Sequence, residues 1–485
     1  MRIITQHQIS NAILTSVFCC FISICWFLIP NPAIALVISI LPVAILFVLW
    51  KPFLMVLLFV AFSFFRLHEV FPAIYNFKIP LLLSLASLLA LTWHVGISRK
   101  IEIYFSKELI AISVFFALVT FGVLMASNRP VAIEYFKGIY WKIALMTYAI
   151  AFLTRQASDF ALAAKVITFS GVLVGLVALS NKMNSIGLVE GTRVTIGRHI
   201  GSVLGDPNDL ALVLMFPASF AVSLAITKGL SRGSRCLGLI SIVVLFSAII
   251  ATQSRGGLLG VLAVFGIYGY RKIQSKALFL SIAIIGAGLL YGVAGISDRS
   301  SGGAAEDGID ASAMGRLYAW EAAFGMATHN PLTGVGIDNF YSNYYYYSPH
   351  WDGLNHAVHS TWFGVLAETG FLGLFVFVFN IILLLKTSYR SLTLMEIHQD
   401  TIDPAVIAAA QAVFAGLIGT VISGTFLTQG FTWPIYILAA LVVATSRWTQ
   451  NVLPSVIDSS NRGEKSCNTP NIQLQSTNAS LHCRY

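Results

Sequence analysis

The chain has 485 residues, of which 57% are hydrophobic and only 11% charged, whereas a soluble protein keeps roughly 25% of its residues charged to stay solvated. Apolar runs long enough to cross a bilayer recur from end to end, so the fold class read from the sequence is all-α, a polytopic transmembrane helical bundle; continuous rather than alternating runs exclude a membrane β-barrel. The net charge of +9 is largely a topology signal, and with no soluble basic domain to carry a nucleic acid, none is expected as a partner.

In chain order, about fourteen spans are expected, near 13–29, 33–49, 53–66, 79–97, 109–127, 138–153, 161–180, 209–226, 235–252, 256–270, 277–295, 361–385, 405–424 and 432–446. The third and tenth are short, which sets a range of 12–14. Residues 13–29 with Ala33-Ile34-Ala35 resemble a signal peptide and cleavage site, but many spans follow, so an uncleaved first helix is expected. Basic residues set the orientation. With the N-terminus inside, Arg99, Lys100, Lys107, Arg155, Lys228, Arg232, Arg235, Arg271, Lys272, Lys276, Lys386, Arg390 and Arg447 all fall inside, as does the C-terminus. Arg66, Arg129, Lys182, Arg193, Arg198, Arg255, Arg299 and Arg316 fall outside against that rule and need a reason. No cysteine pair falls in an outer loop, so no structural disulfide is expected. Three regions follow: N-terminal helices over 1–180, a membrane core over 181–452, and a polar, disordered cytoplasmic tail over 453–485.

The first long outer loop, 181–208, carries Arg193 and Arg198, cations placed to guide an anionic substrate, and ends in GDPNDLALVL. Asp206 and Asp209 read there as helix-start residues around Pro207. Arg255 stands in TQSRGGLLG, between the ninth and tenth spans. It reads either as a snorkelling or salt-bridged arginine or as a ligand-binding one. Gly256 and Gly257 favour the second, since they let a ligand approach the backbone at a helix N-terminus, and arginine plus helix N-terminus is a good phosphate receptor.

The second outer loop, 296–360, opens with the small, acidic stretch SDRSSGGAAEDGIDAS. Residues 313–328 have helical spacing, with Leu317, Trp320, Phe324 and Ala327 on one face, as in an amphipathic helix lying on the outer membrane surface. Arg316, near its start, is an exposed loop arginine or a second phosphate contact. Gly334 and Gly336 permit a tight turn, and Tyr344 to Tyr347 fit an interfacial aromatic belt or a sugar-stacking surface. His356 and His359 share a face if HAVHS is helical. With His350 they make three histidines, but no HExxH or carboxylate pattern accompanies them, so neither metal nor cofactor is expected. Interfacial structural histidines are one reading; a general base at the membrane surface, at His359, is the other. Glu368, about two turns into the following span, suits an ion pair with Arg255.

No P-loop, GxGxxG, DxD on a soluble domain or GxSxG is present, so an enzyme of this shape needs a substrate already activated and already in the membrane. TQSRGGLLG, GRLYAWEAAFGMATHNPLTGVGIDNF and NHAVHSTWFGVLAETGFLGL, in this order and after GDPNDLALVL, resemble the O-antigen ligase and O-antigen polymerase superfamily of bacterial inner-membrane proteins over roughly 190–385. The resemblance implies a metal-independent, inverting glycosyltransferase of lipopolysaccharide or polysaccharide biosynthesis in the bacterial inner membrane. The donor would be a glycan on undecaprenyl diphosphate and the acceptor lipid A core or another glycan. By matching position, Arg255 and Arg316 would hold the diphosphate and His359 would act as base, with Glu368, Arg193, Arg198 and His356 in support. Up to fourteen spans and a long tail depart from the twelve-span pattern of the ligases. Ligase and polymerase are not separated by sequence. Solute transport of the bicarbonate type is a third reading, disfavoured because the unusual residues crowd the outer interface rather than the midplane.

Overall fold

The structure is a computed structural model that describes residues 6–293 and 311–467. The helices, in chain order, are α1 (Gln6–Leu28), α2 (Pro32–Trp50), α3 (Pro52–Ser63), α4 (Leu67–Val70), α5 (Ile79–Thr92), α6 (Lys107–Met125), α7 (Arg129–Tyr135), α8 (Trp141–Leu153), α9 (Ala157–Met183), α10 (Pro207–Ile226), α11 (Arg232–Thr252), α12 (Arg255–Lys272), α13 (Lys276–Val293), α14 (Ala311–His329), α15 (Phe340–Tyr347), α16 (Thr361–Ile397), α17 (Pro404–Ser423) and α18 (Trp433–Cys467). No strand forms among the described residues beyond one isolated bridge between Val189 and Arg193.

Proline at the first helical position explains many of these starts. Its missing N–H would be unpaired there anyway, and its fixed φ suits the helix. Pro32, Pro52, Pro207 and Pro404 open α2, α3, α10 and α17, and Asn31, Asp206 and Asp403 cap three of them by accepting backbone N–H groups. Asp206 thus behaves as its sequence context predicts. All fourteen expected spans are helices. Among the described residues nine are long and apolar enough to cross a membrane, one of them the combined Arg129–Leu153 segment; Thr15–Leu28, Pro52–Ser63 and Lys276–Gly286 are shorter apolar helices.

α10 and α17 form the centre: 83% and 78% of their apolar windows are buried, against 11% for α2 and 17% for Ile79–Ile97. α12 closes on α17 where Gly260 and Gly419 face each other; a Cβ on Gly260 would lie 2.8 Å from Ser423 and 3.2 Å from the Gly419 carbonyl, the small-residue contact expected between helices that gain little by excluding lipid from one another. One hydrophobic core runs from Phe53 to Val443 and so joins the N-terminal helices to the rest.

Three expectations change. The expected face of α14 is only partly packed: Ala327 is buried and Trp320 stacks on Phe363, while Leu317 and Phe324 are 46% and 52% exposed. The helix also buries Ala319, Ala322, Ala323 and Met326, packed with Phe340, Tyr344, Val358 and Ala367. This small-residue stripe lets α14 dock closely on α16. Second, the tyrosine run is split: Tyr344 is buried while Tyr345 and Tyr346 are exposed. Third, α18 continues as helix to Cys467, beyond the start of the expected tail at 453; residues 468–485 lie outside the described residues, as do 294–310, which hold most of the acidic stretch and Arg299.

Candidate active site

The start of α10 is a junction. Asp206 accepts the N–H groups of Asn208 and Asp209, 2.7 and 3.3 Å, and turns the Asn208 side chain inward. The Asn208 Oδ1 then accepts from Arg193, 3.0 Å, and from the Ser254 hydroxyl that caps α12, 2.9 Å. Arg193 also donates to the Thr252 carbonyl, 3.2 Å, and is only 4% exposed. Arg193 thus locks the preceding loop, α10 and the α11–α12 turn together, and its charge is also among those that lower the His359 imidazole. Arg198 lies exposed in a 3-10 turn beside Gly205.

A second junction forms at α16. The helix is broken at Gly370, whose φ of 69° only glycine adopts without strain. The gap is filled by the turn before α15: Phe371 donates to the Pro331 carbonyl, and Val335 and Gly336 donate to the carbonyls of Ala367 and Glu368. A Cβ on Gly334, also at positive φ, would collide with the Ala367 carbonyl. Broken backbone at membrane depth is tolerated where protein satisfies it, and here the glycines of the GVG and ETG sequences allow that. Glu368, 9% exposed, accepts the Phe340 N–H, 3.3 Å, at the start of α15. The expected pair with Arg255 is not made: Glu368 caps a helix, because the turn brings backbone N–H groups to it.

At the N-terminal end of α16, Thr361 binds the α17–α18 connection. Its hydroxyl donates to the Leu427 carbonyl, 2.7 Å, and accepts from Gln429 N–H, 2.9 Å, and its N–H donates to the Gly424 carbonyl. His359, two residues earlier, is held at φ 45°.

Between these junctions opens a cavity of about 990 Å³. Its lining includes His359, Glu368, Asp338, Asp206, Asp209 and Asn208, together with Arg66, His68, Lys78, Tyr135 and Lys142 and apolar groups such as Phe59, Leu212 and Trp433. Of the eight non-glycine residues at positive φ among the described residues, four line this cavity: Arg66, Lys78, Asp338 and His359. Each such residue costs on the order of 1–3 kcal/mol, and strain of this kind concentrates at functional sites.

Burial, and next the charge of Arg316, hold the His359 imidazole below its ordinary pKa, against the opposing pull of Asp206. The ring is therefore neutral near pH 7 and able to accept a proton. Burial, and then Glu134, push the Asp338 carboxyl up. His356 is engaged elsewhere: it pairs with Asp352 at 2.9 Å and stands edge-on to Tyr344. A hydrogen bond from His356 lowers the Asp352 carboxyl. His350 stacks on Tyr318 and lies 3.3 Å from Glu321. His350 and His356 thus have separate partners, and the described residues hold no group of three or more metal-type ligands.

Of the predicted residues, His359 and Glu368 line the cavity. Arg255 is the first residue of α12, and Arg316 lies over the Phe426 ring at 5.9 Å. Neither is a lining residue, but both border the segment that is: Gly256 abuts Phe426 and Leu427, and Leu427 lines the cavity. Sequence reasoning passed over Lys78, Tyr135, Asp338 and Lys142. Arg66 had been marked only as a cation on the unexpected side, and Lys142 left a signal unused, a cation inside a span.

Residues 240–378 match a family described as O-antigen ligase. The match takes in Arg255, Arg316, His356, His359 and Glu368; Arg66, Lys78, Lys142, Arg193, Arg198 and Asp206 lie before it. No curated protein matches the chain.

Proposed function

We propose that this membrane protein, whose residues 240–378 match the O-antigen ligase family, transfers a glycan from undecaprenyl diphosphate to an acceptor hydroxyl in the cavity that His359 lines. The acceptor in this reading is lipid A core or another glycan, and the site faces the periplasm. The observation that carries the proposal is His359: a half-buried, neutral imidazole on the wall of a large cavity, with Arg316 as the leading charge acting on it.

His359 takes the proton of the acceptor hydroxyl as its oxygen attacks the anomeric carbon. The bond from that carbon to the diphosphate oxygen breaks, and the diphosphate leaves as an anion. Attack from the face opposite the leaving group inverts the anomeric centre. Arg255 and Arg316 meet the developing charge, the α12 N-terminus adding its dipole, so that in this mechanism arginines supply the role a metal ion would otherwise take. The broken α16 does not favour transport, because the gap at Gly370 is filled by the protein's own 331–336 turn.

The test is reconstitution of the purified chain with a lipid-diphosphate glycan and separate acceptors, read by gel shift. Transfer in one step to lipid A core is the expected result. A ladder on the lipid-linked glycan makes the acceptor the growing chain, as in a polymerase. No transfer to any acceptor, with solute flux into proteoliposomes, overturns the proposal.

A further inference from the structure

The part of the cavity wall that carries Lys78 and Lys142 has no role in the transfer described above. Lys142 lies in the Arg129–Leu153 span, thirteen residues from its start, or about 20 Å along a regular helix. It is half-buried, and a cation at such depth is kept only for a purpose, usually with a partner. Neither Lys142 nor Lys78 has a carboxylate within ion-pairing distance among the described residues. Both line the cavity, Lys142 from α8 and Lys78 from the residue before α5, where it is held at φ 49°. Arg66, the third cation of this wall, is already occupied by Glu69, which also accepts from Ser202. The α8 helix reaches Lys142 through a π-helical turn at Phe136–Tyr140, whose Gly138 and Ile139 also line the cavity; widened turns of this kind often mark functional positions.

We propose that Lys78 and Lys142 form an anion-recognition wall, in the cavity that His359 also lines, that binds a phosphate-type group carried by the acceptor. The inference rests on the glycosyl-transfer reading for the word acceptor, while the binding itself stands apart from it. The reaction needs two substrates at the base. With Arg255 and Arg316 assigned to the donor diphosphate, the lining cations Lys78 and Lys142 remain for the second substrate. Arg66 is paired with Glu69, which leaves the two lysines as lining cations without an ion-pair partner among the described residues.

The full-length protein in detergent is titrated with two short glycolipids identical except for one phosphate monoester, and with geranyl diphosphate as a probe of the donor side, binding being read by calorimetry. The phosphorylated glycolipid is expected to bind about tenfold or more tightly than its neutral twin. Lys78→Gln/Lys142→Gln is expected to remove that preference while leaving geranyl diphosphate affinity unchanged. Lys78→Arg/Lys142→Arg is expected to keep it, and 0.5 M salt to reduce it in the wild type, roughly as screening dictates. A preference that survives the double glutamine variant, that resists salt in the wild type, or that disappears together with geranyl diphosphate binding overturns the proposal. The salt titration needs no variant and so decides even where the double substitution fails to fold. A chain that binds as expected but transfers no glycan leaves this wall standing and removes the proposed function.

Discussion

Burial and the charge of Arg316 hold His359 neutral near pH 7, so the acid limb of its titration lies below the ordinary value of about 6.5. Turnover is therefore expected to be flat through neutrality and to fall as pH drops through that lowered pKa. His359→Ala should reduce turnover roughly 100- to 10,000-fold and abolish this acid limb. A pH–rate profile of wild type and variant checks both, and a wild-type limb above pH 7 would remove His359 as the base. Arg255→Ala should cost roughly 100- to 1000-fold in turnover at unchanged expression; near-normal rates in purified protein would exclude it from the diphosphate site. Arg193→Ala belongs to another class. It removes two hydrogen bonds from a buried cation, each worth about 1.5–3 kcal/mol, so the expected loss is in thermal stability, measured by fluorescence-detected unfolding, with any activity lost in proportion to folded protein.

Two elements owe their form to single residues. α16 is two helices across Gly370, and Gly370→Ala forces a side chain into a left-handed position against the Asn330 and Pro331 carbonyls. The conformation alone costs about 1–2 kcal/mol, and overpacking adds roughly 1–3 kcal/mol. A lowered unfolding temperature is expected, whereas Gly96→Ala, which meets nothing within 4 Å, should leave the protein close to wild type. Unfolding curves of the two variants side by side test the assignment. α14 shows why periodicity misled. Large apolar residues at 317 and 324 do share a stripe, but in a membrane protein that stripe can face lipid, and Ala319, Ala322, Ala323 and Met326 win the interior because small side chains permit closer packing.

At the scale of the whole molecule, the cavity is assembled from segments as far apart as Phe59 and Pro434. Asp338, His359 and Glu368 of its lining lie within the matched residues 240–378, and Lys78 and Lys142 lie in the helices before them. Removal of residues 1–106 would take away about a third of the lining residues, Lys78 among them, and transfer is expected to be lost even where residues 240–378 persist in the membrane; activity of a truncated chain lacking residues 1–106, followed in membranes against an expression control, checks this.

The sequence by itself determined the helical class, the fourteen helices, the cap at Asp206, the O-antigen ligase resemblance and the candidates His359 and Glu368. All of these rest on composition, local periodicity or short motifs, which act between neighbours in the chain. Tertiary structure alone decided that Glu368 caps α15, that Arg193 is a buried clamp, that His356 is tied to Asp352, and that Lys78 and Lys142 face the same cavity as His359. Those outcomes depend on contacts between residues far apart in the chain, and no local pattern records which distant carbonyl, carboxylate or cation a folded bundle will bring within reach.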